Sequence, residues 1–191
     1  PKPASEPAKA KDVPAGAVAL VKPHAEWDYL AGRDAPKDWA TVPFVPEASA
    51  GWKSGPAGFG YGDDDDVTVL KDMQNRYTTV YVRTEFELEP GEKERITDLG
   101  LVISYDDAFI AYLNGHEVLR VGVEKGSGAS AKGIESHNAK GYEYFSLKDA
   151  LKYLTDDDNI IAIEGHNVRA SSSDFSLDPY VVAVKQSTPA E

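Results

Sequence analysis

Residues Thr79–Leu88 read TVYVRTEFEL. Val80, Val82, Thr84, Phe86 and Leu88 fall on one face of an extended chain, while Tyr81, Arg83, Glu85 and Glu87 fall on the other. Side chains alternate between the two faces of a strand, so this pattern predicts a half-buried β-strand. The same period of two recurs on both sides. Leu99–Tyr105 places Leu99, Leu101, Ile103 and Tyr105 on one face. Phe109–Leu113 and Glu117–Val121 flank Asn114-Gly115, a two-residue hairpin signal because both turn positions need positive φ. Further strands are expected at Glu26–Leu30, Tyr142–Phe145, Ile160–His166 and Pro179–Val184. One short helix is expected after Ser146, with Asp149 three residues on in a weak capping box and Leu147, Leu151 and Leu154 on one face. Seven or more short strands without helix–strand alternation predict an all-β fold, a two-sheet sandwich or jelly roll.

The chain has 191 residues, which suits one domain with tails. Residues 1–17 are rich in Pro, Ala and Lys and read as a linker, residues 18–185 as the folded module, and residues 186–191 as a C-terminal tail. Such ends suggest a module of a longer, multidomain protein. Twenty Lys and Arg against 32 Asp and Glu give a net charge of −12. A chain this acidic repels nucleic acid and anionic membranes. No apolar run is long enough to insert in a bilayer, and the start does not read as a signal peptide. With no cysteine, disulfides and thiolate metal sites are excluded.

Three groups of residues carry candidate chemistry. Asp63-Asp64-Asp65-Asp66 follows the glycine-rich GFGYG, and four adjacent carboxylates in a flexible loop suit a hard cation such as calcium, although the spacing is not that of an EF-hand. A solvated charge run is the plainer alternative. Asp106-Asp107 ends one strand and His166-Asn167 another, the latter running into Ser171-Ser172-Ser173-Asp174. If those loops meet, carboxylates, imidazole and amide would ring a hollow at the rim of the sandwich and bind a sugar's hydroxyls. The competing reading is a buried network, with Asp174 holding the His166 ring. Trp27 reads as core and Trp52 as a loop anchor. Trp39, in the polar stretch Pro36–Ala40, is the tryptophan expected to be exposed, and it or Tyr61 would stack on a pyranose.

Catalytic patterns are missing. Ser173, His166 and Asp174 are crowded into one loop without a nucleophile elbow, and no histidine spacing suits zinc. Gly126–Ala131 matches G-x-G-x-x-A only formally and reads as part of a flexible Val121–Gly141 loop.

The ordered segments WKSGPAGFGYGDDDD (52–66), YVRTEFEL (81–88), YDDAFIAYLNGHEVLR (105–120) and NIIAIEGHN with SSDFSLDP (159–179) resemble the galactose-binding-domain-like jelly rolls of large secreted bacterial proteins. The resemblance spans roughly Glu26 to Val184. It implies a jelly-roll β-sandwich and a non-catalytic, carbohydrate-binding accessory module of a secreted or cell-surface bacterial enzyme. It also implies a structural calcium ion, and a polysaccharide or oligosaccharide, or an adjacent domain of the same chain, as partner. The implied polar contacts are Asp106, Asp107, His166, Asn167 and Asp174. The alternative is an interaction domain without a sugar site.

Overall fold

The computed structural model describes residues 12–186. Residues 1–11 of the expected linker and 187–191 of the expected tail lie outside the described residues.

Among the described residues, fourteen strands, numbered in chain order, form two six-stranded sheets and a small ribbon. The first sheet contains β1 (Val18–Val21), β4 (Phe59–Tyr61), β5 (Thr68–Val69), β7 (Ile96–Asp106), β12 (Glu143–Ser146) and β14 (Phe175–Lys185). Its path runs β12-β7-β14-β4-β5, with β1 pairing antiparallel to β14. The second sheet contains β2 (Glu26–Ala31), β3 (Lys53–Pro56), β6 (Thr79–Glu87), β8 (Ala108–Leu113), β9 (His116–Val121) and β13 (Asp158–His166), ordered β3-β2-β6-β13-β8-β9. The ribbon pairs β10 (Val123–Lys125) with β11 (Lys132–Ile134).

Between the sheets lies the main core. Val80, Val82, Phe109, Ile161 and Ile163 from the second sheet meet Phe59, Leu101, Ile103, Phe175 and Leu177 from the first. Gly165 faces this layer because a Cβ there would stand 2.9 Å from the Phe175 ring. The Asn-Gly hairpin forms as expected, with φ of 51° at Asn114 and 84° at Gly115. Asn114 also ties the turn to the next layer. Its Nδ2 donates to Tyr153 O (2.8 Å) and Asn159 Oδ1 (2.9 Å), and its Oδ1 accepts the Ile160 N–H (2.7 Å).

Two local expectations are corrected. The helix after Ser146 is a 3-10 segment, Lys148–Tyr153, that begins without a side-chain cap at Leu147. Ser146 donates its hydroxyl to Asp98 (2.8 Å) and accepts the Lys148 N–H only at 3.4 Å; the segment and its flanks bury Leu147, Ala150 and Leu154. The supposed flexible loop at Val121–Gly141 carries the β10–β11 ribbon.

TVYVRTEFEL is also more buried than its alternation predicts. Tyr81 and Arg83, on the outward face, are both only 3% exposed. The segment joining β2 to β3 folds over them and forms a second apolar cluster with Leu30, Trp39, Ala40, Trp52, Ile160 and Ala162. Arg83 staples this cover by donating to the carbonyls of Phe44 (2.7 Å) and Thr41 (3.3 Å) while its guanidinium lies over the Phe44 ring.

Candidate functional site

The register places the key side chains of the second sheet's outer face. Tyr81 on β6 stands opposite Glu164 on β13, and Tyr112 on β8 stands opposite Ala162, one row along. Two loops rise over this face. The β2–β3 segment supplies Asp34, Lys37 and Trp39, and the turn between β10 and β11 supplies Ser127–Ser130. Between them lies a pocket of about 560 Å³ lined by these residues together with Tyr81, Tyr112 and Glu164.

The pocket has aromatic walls and a carboxylate floor. Trp39 is wedged edge-on against Tyr81 (ring centroids 5.1 Å apart) and Tyr112 (5.7 Å), and stacks near Trp52 at 6.4 Å. Glu164, 2% exposed, accepts the Gly128 N–H (2.8 Å) and contacts His166 Nε2 (2.8 Å) through Oε1. Its Oε2 lies 3.4 Å from the Tyr112 hydroxyl. Asp34 accepts the Ala129 N–H (3.1 Å) and lies 3.4 Å from the Tyr81 hydroxyl. Both loops are thus tied to the pocket's carboxylates. Burial, then Glu164, raises both phenols well above the ordinary tyrosine range, so at neutral pH they are protonated donors.

Six of the seven residues expected to form a rim site gather at one end of the sandwich, where Tyr61, Asp107, His166 and Asn167 hydrogen-bond within the protein. Asp107, 3% exposed, accepts the Ser136 hydroxyl (3.1 Å) and the N–H groups of His137 (3.0 Å) and Val168 (2.7 Å). Asn167, 2% exposed, donates to Asp174 O (2.7 Å), and Tyr61 donates to Ser172 O (3.0 Å). His166 meets Glu164 and the Thr79 hydroxyl (3.2 Å), so its partner is not the expected Asp174. Asp174 accepts the neighbouring Ser173 hydroxyl instead. Asp106 is buried and unusually basic for a carboxyl: burial, then Asp107 and Asp174, pushes it up to about 7. Asp107 and Asn167 are thus engaged with backbone groups of the neighbouring loops, as buried polar groups require.

Trp39 is corrected in the opposite sense. It is 6% exposed rather than the open tryptophan, yet it borders the outer-face pocket, which none of the other six lines. The residues missed from sequence are Glu164, Tyr81, Tyr112 and Asp34. The signal for the first three was their shared outward parity, which becomes a cluster only once the strand order is known.

The acidic loop gathers part of what was expected. Asp63, Asp65 and Asp66 each bring a carboxylate oxygen within 4.8 Å of the others. Asp64 is not in that group; it is exposed, with φ of 63°. Asp66 Oδ2 is buried and has no hydrogen-bond partner. Burial, then Asp63 and Asp65, raises Asp66 to about 8; partial burial and Asp65 raise Asp63 to about 6. Gly60 and Gly62 hold the chain close, since a Cβ on Gly60 would overlap Asp66 and the Phe175 carbonyl. An orphaned carboxylate oxygen among like charges fits a hard, oxygen-seeking divalent cation.

Neither a family model nor a curated protein matches the sequence. Solved structures do resemble its fold. A β-glucuronidase of Bacteroides uniformis superposes with a TM-score of 0.54 at 17% identity, over 88% of this chain and 18% of that one. A β-glucuronidase of an uncultured Clostridium sp. gives 0.50 at 13% identity, over 91% and 30% respectively. A calcium-binding mutant of Bacteroides uniformis β-glucuronidase 2 gives 0.50 at 16% identity, over 88% and 18%. At such identities the likeness is one of fold. The chain spans less than a third of each of these enzymes.

Proposed function

We propose that this chain is a non-catalytic, carbohydrate-binding accessory module of a bacterial secreted or cell-surface enzyme, and that its ligand site is the outer-face pocket. The observation that carries this reading is the pairing of aromatic walls, Trp39, Tyr81 and Tyr112, with the acceptors Asp34 and Glu164 in one concavity. Its volume of about 560 Å³ suits a small ligand. A pyranose presents apolar C–H faces to aromatic rings and hydroxyl donors to carboxylates. Of the residues singled out in the sequence, Trp39 would touch the ligand. Tyr61, Asp106, Asp107, His166, Asn167 and Asp174 would position loops. The fold likeness to portions of glycoside hydrolases supports the accessory role.

Asp63, Asp65 and Asp66 would hold a structural calcium ion that neutralises the loop. Adjacent domains of the same protein are the other expected partners. No helix among the described residues is long and apolar enough to cross a membrane.

A glycan array followed by calorimetry tests the sugar reading. Binding in the micromolar to millimolar range is expected, weakened several-fold by Tyr112→Phe and unchanged by Asp174→Asn at the rim. A folded chain that binds no glycan overturns it. The interaction-domain reading, favoured by the internal pairing of Asp107, His166 and Asn167, would then take its place.

A further inference from the structure

The pocket's polar groups are unbalanced. Its charged lining residues are Asp34, Glu164 and the exposed Lys37. Its two phenols already point at the two carboxylates, Tyr81 toward Asp34 and Tyr112 toward Glu164, each at 3.4 Å, and the Ser130 hydroxyl donates to Ser127 O (2.7 Å). A good O–H···O contact is about 2.5–3.0 Å, so both carboxylates can still take a better donor. His166 is 2% exposed behind Glu164 and is spent on it and on Thr79. Among its charged groups, an incoming ligand therefore meets two carboxylates against a single flexible ammonium at the edge.

From this we infer that the pocket selects pyranosides bearing hydrogen-bond donors, neutral or amino-substituted, and rejects uronates. The inference rests on the carbohydrate reading above and adds the ligand's charge class. It also separates this chain from the ligand class in the name of the β-glucuronidases whose fold it resembles. A ligand carboxylate about 4–6 Å from Asp34 and Glu164 meets like charge on two sides in a partly desolvated site. After the offset from Lys37, this should weaken uronate binding by about tenfold or more. The chain's net charge of −12 adds long-range repulsion of the same sign.

The test is a panel of matched polymers: neutral β-1,4-glucan, β-1,4-mannan and α-1,4-galactan oligomers, the uronate form of each backbone, and chitosan oligomers as the amino form. Calorimetry on the intact chain should show binding to at least one neutral or amino oligomer. The matched uronate should bind about tenfold or more weakly, with a gap that narrows as salt is raised from low ionic strength to about 0.5 M. Asp34→Asn, at an exposed position, should shrink the gap further by weakening uronate rejection. Uronates that bind as well as their neutral partners would overturn the inference and leave the carbohydrate reading standing. So would an Asp34→Asn variant with an unchanged ratio. No binding to any member, with the fold intact, would overturn both.

Discussion

Replacing Asp66 by asparagine should stabilise the metal-free protein and, in the same stroke, remove its response to calcium. Burial lifts the Asp66 carboxyl from 3.8 to about 8. Because the folded value lies above the unfolded one, the group's contribution to stability is fully present below about pH 4 and is lost as pH rises toward 8. At pH 7 the folded protein still holds a proton that the unfolded chain has released. Three units of pH above 3.8, at about 1.4 kcal/mol each, set a ceiling of about 4 kcal/mol. Solvent reaches part of this half-buried side chain, which reduces the expected cost to about 2–3 kcal/mol. Asparagine carries no such cost. In excess chelator at pH 7, Asp66→Asn should melt roughly 5–10 °C above the parent, and the two should converge at pH 4. Adding calcium should raise the parent's melting temperature, because a ligand of the folded state alone stabilises it, and should leave the variant little changed. Circular dichroism melts across pH 4–8, with chelator and then with calcium, measure both arms. An Asp66→Asn advantage equal at pH 4 and pH 8, or a calcium response that survives the substitution, would refute the assignment.

Two further outcomes concern the scaffold. Phe175→Ala empties a fully buried position opposite Gly165 and should cost about 3–5 kcal/mol in urea denaturation, with the fold's strand signal retained at low urea. Asn114→Ala loses three hydrogen bonds and puts a Cβ residue without a polar side chain at φ of 51°; it should cost about 2–3 kcal/mol, and more than Asn114→Gly, which keeps the turn's backbone freedom.

The sheets could be read from the chain because their signal is local. Alternation at Thr79–Leu88 and Leu99–Tyr105, and positive φ at Asn114-Gly115, depend only on neighbours in sequence. The short strands escaped notice for the same reason. β3, β4 and β5 are two to four residues long, too brief to show a period; β3 and β4 form against the longer β2 and β14, and β5 against β4. The functional face was hidden by a different cause. Trp39 sits among Pro36, Lys37 and Asp38, which looks like solvated loop. Its burial comes from Tyr81 and Tyr112, which lie 42 and 73 positions away in the chain. Glu164 is one polar position within a strand, and no local feature of the sequence singles it out. Only the order β6-β13-β8 puts it between two tyrosines. The rim residues lie near one another, and Asp107 among them is engaged by backbone donors. Backbone N–H groups at Val168 and His137 compete for the same carboxylate that a sugar would need, and they win because they are always present.

The pairing of β1 with β14 bears on how the module would respond to tension. Val18 is registered against Ala183 in antiparallel sense, so the two ends of the described fold leave from adjacent positions on the same edge. A pull applied through residues 18 and 185 would load the hydrogen bonds of that pair one after another, as a zipper opens, rather than all at once in shear. β1 would peel away at low force while the β7–β14 pairing stayed closed. Held at those two points, the fold would yield first as a short, compliant spring.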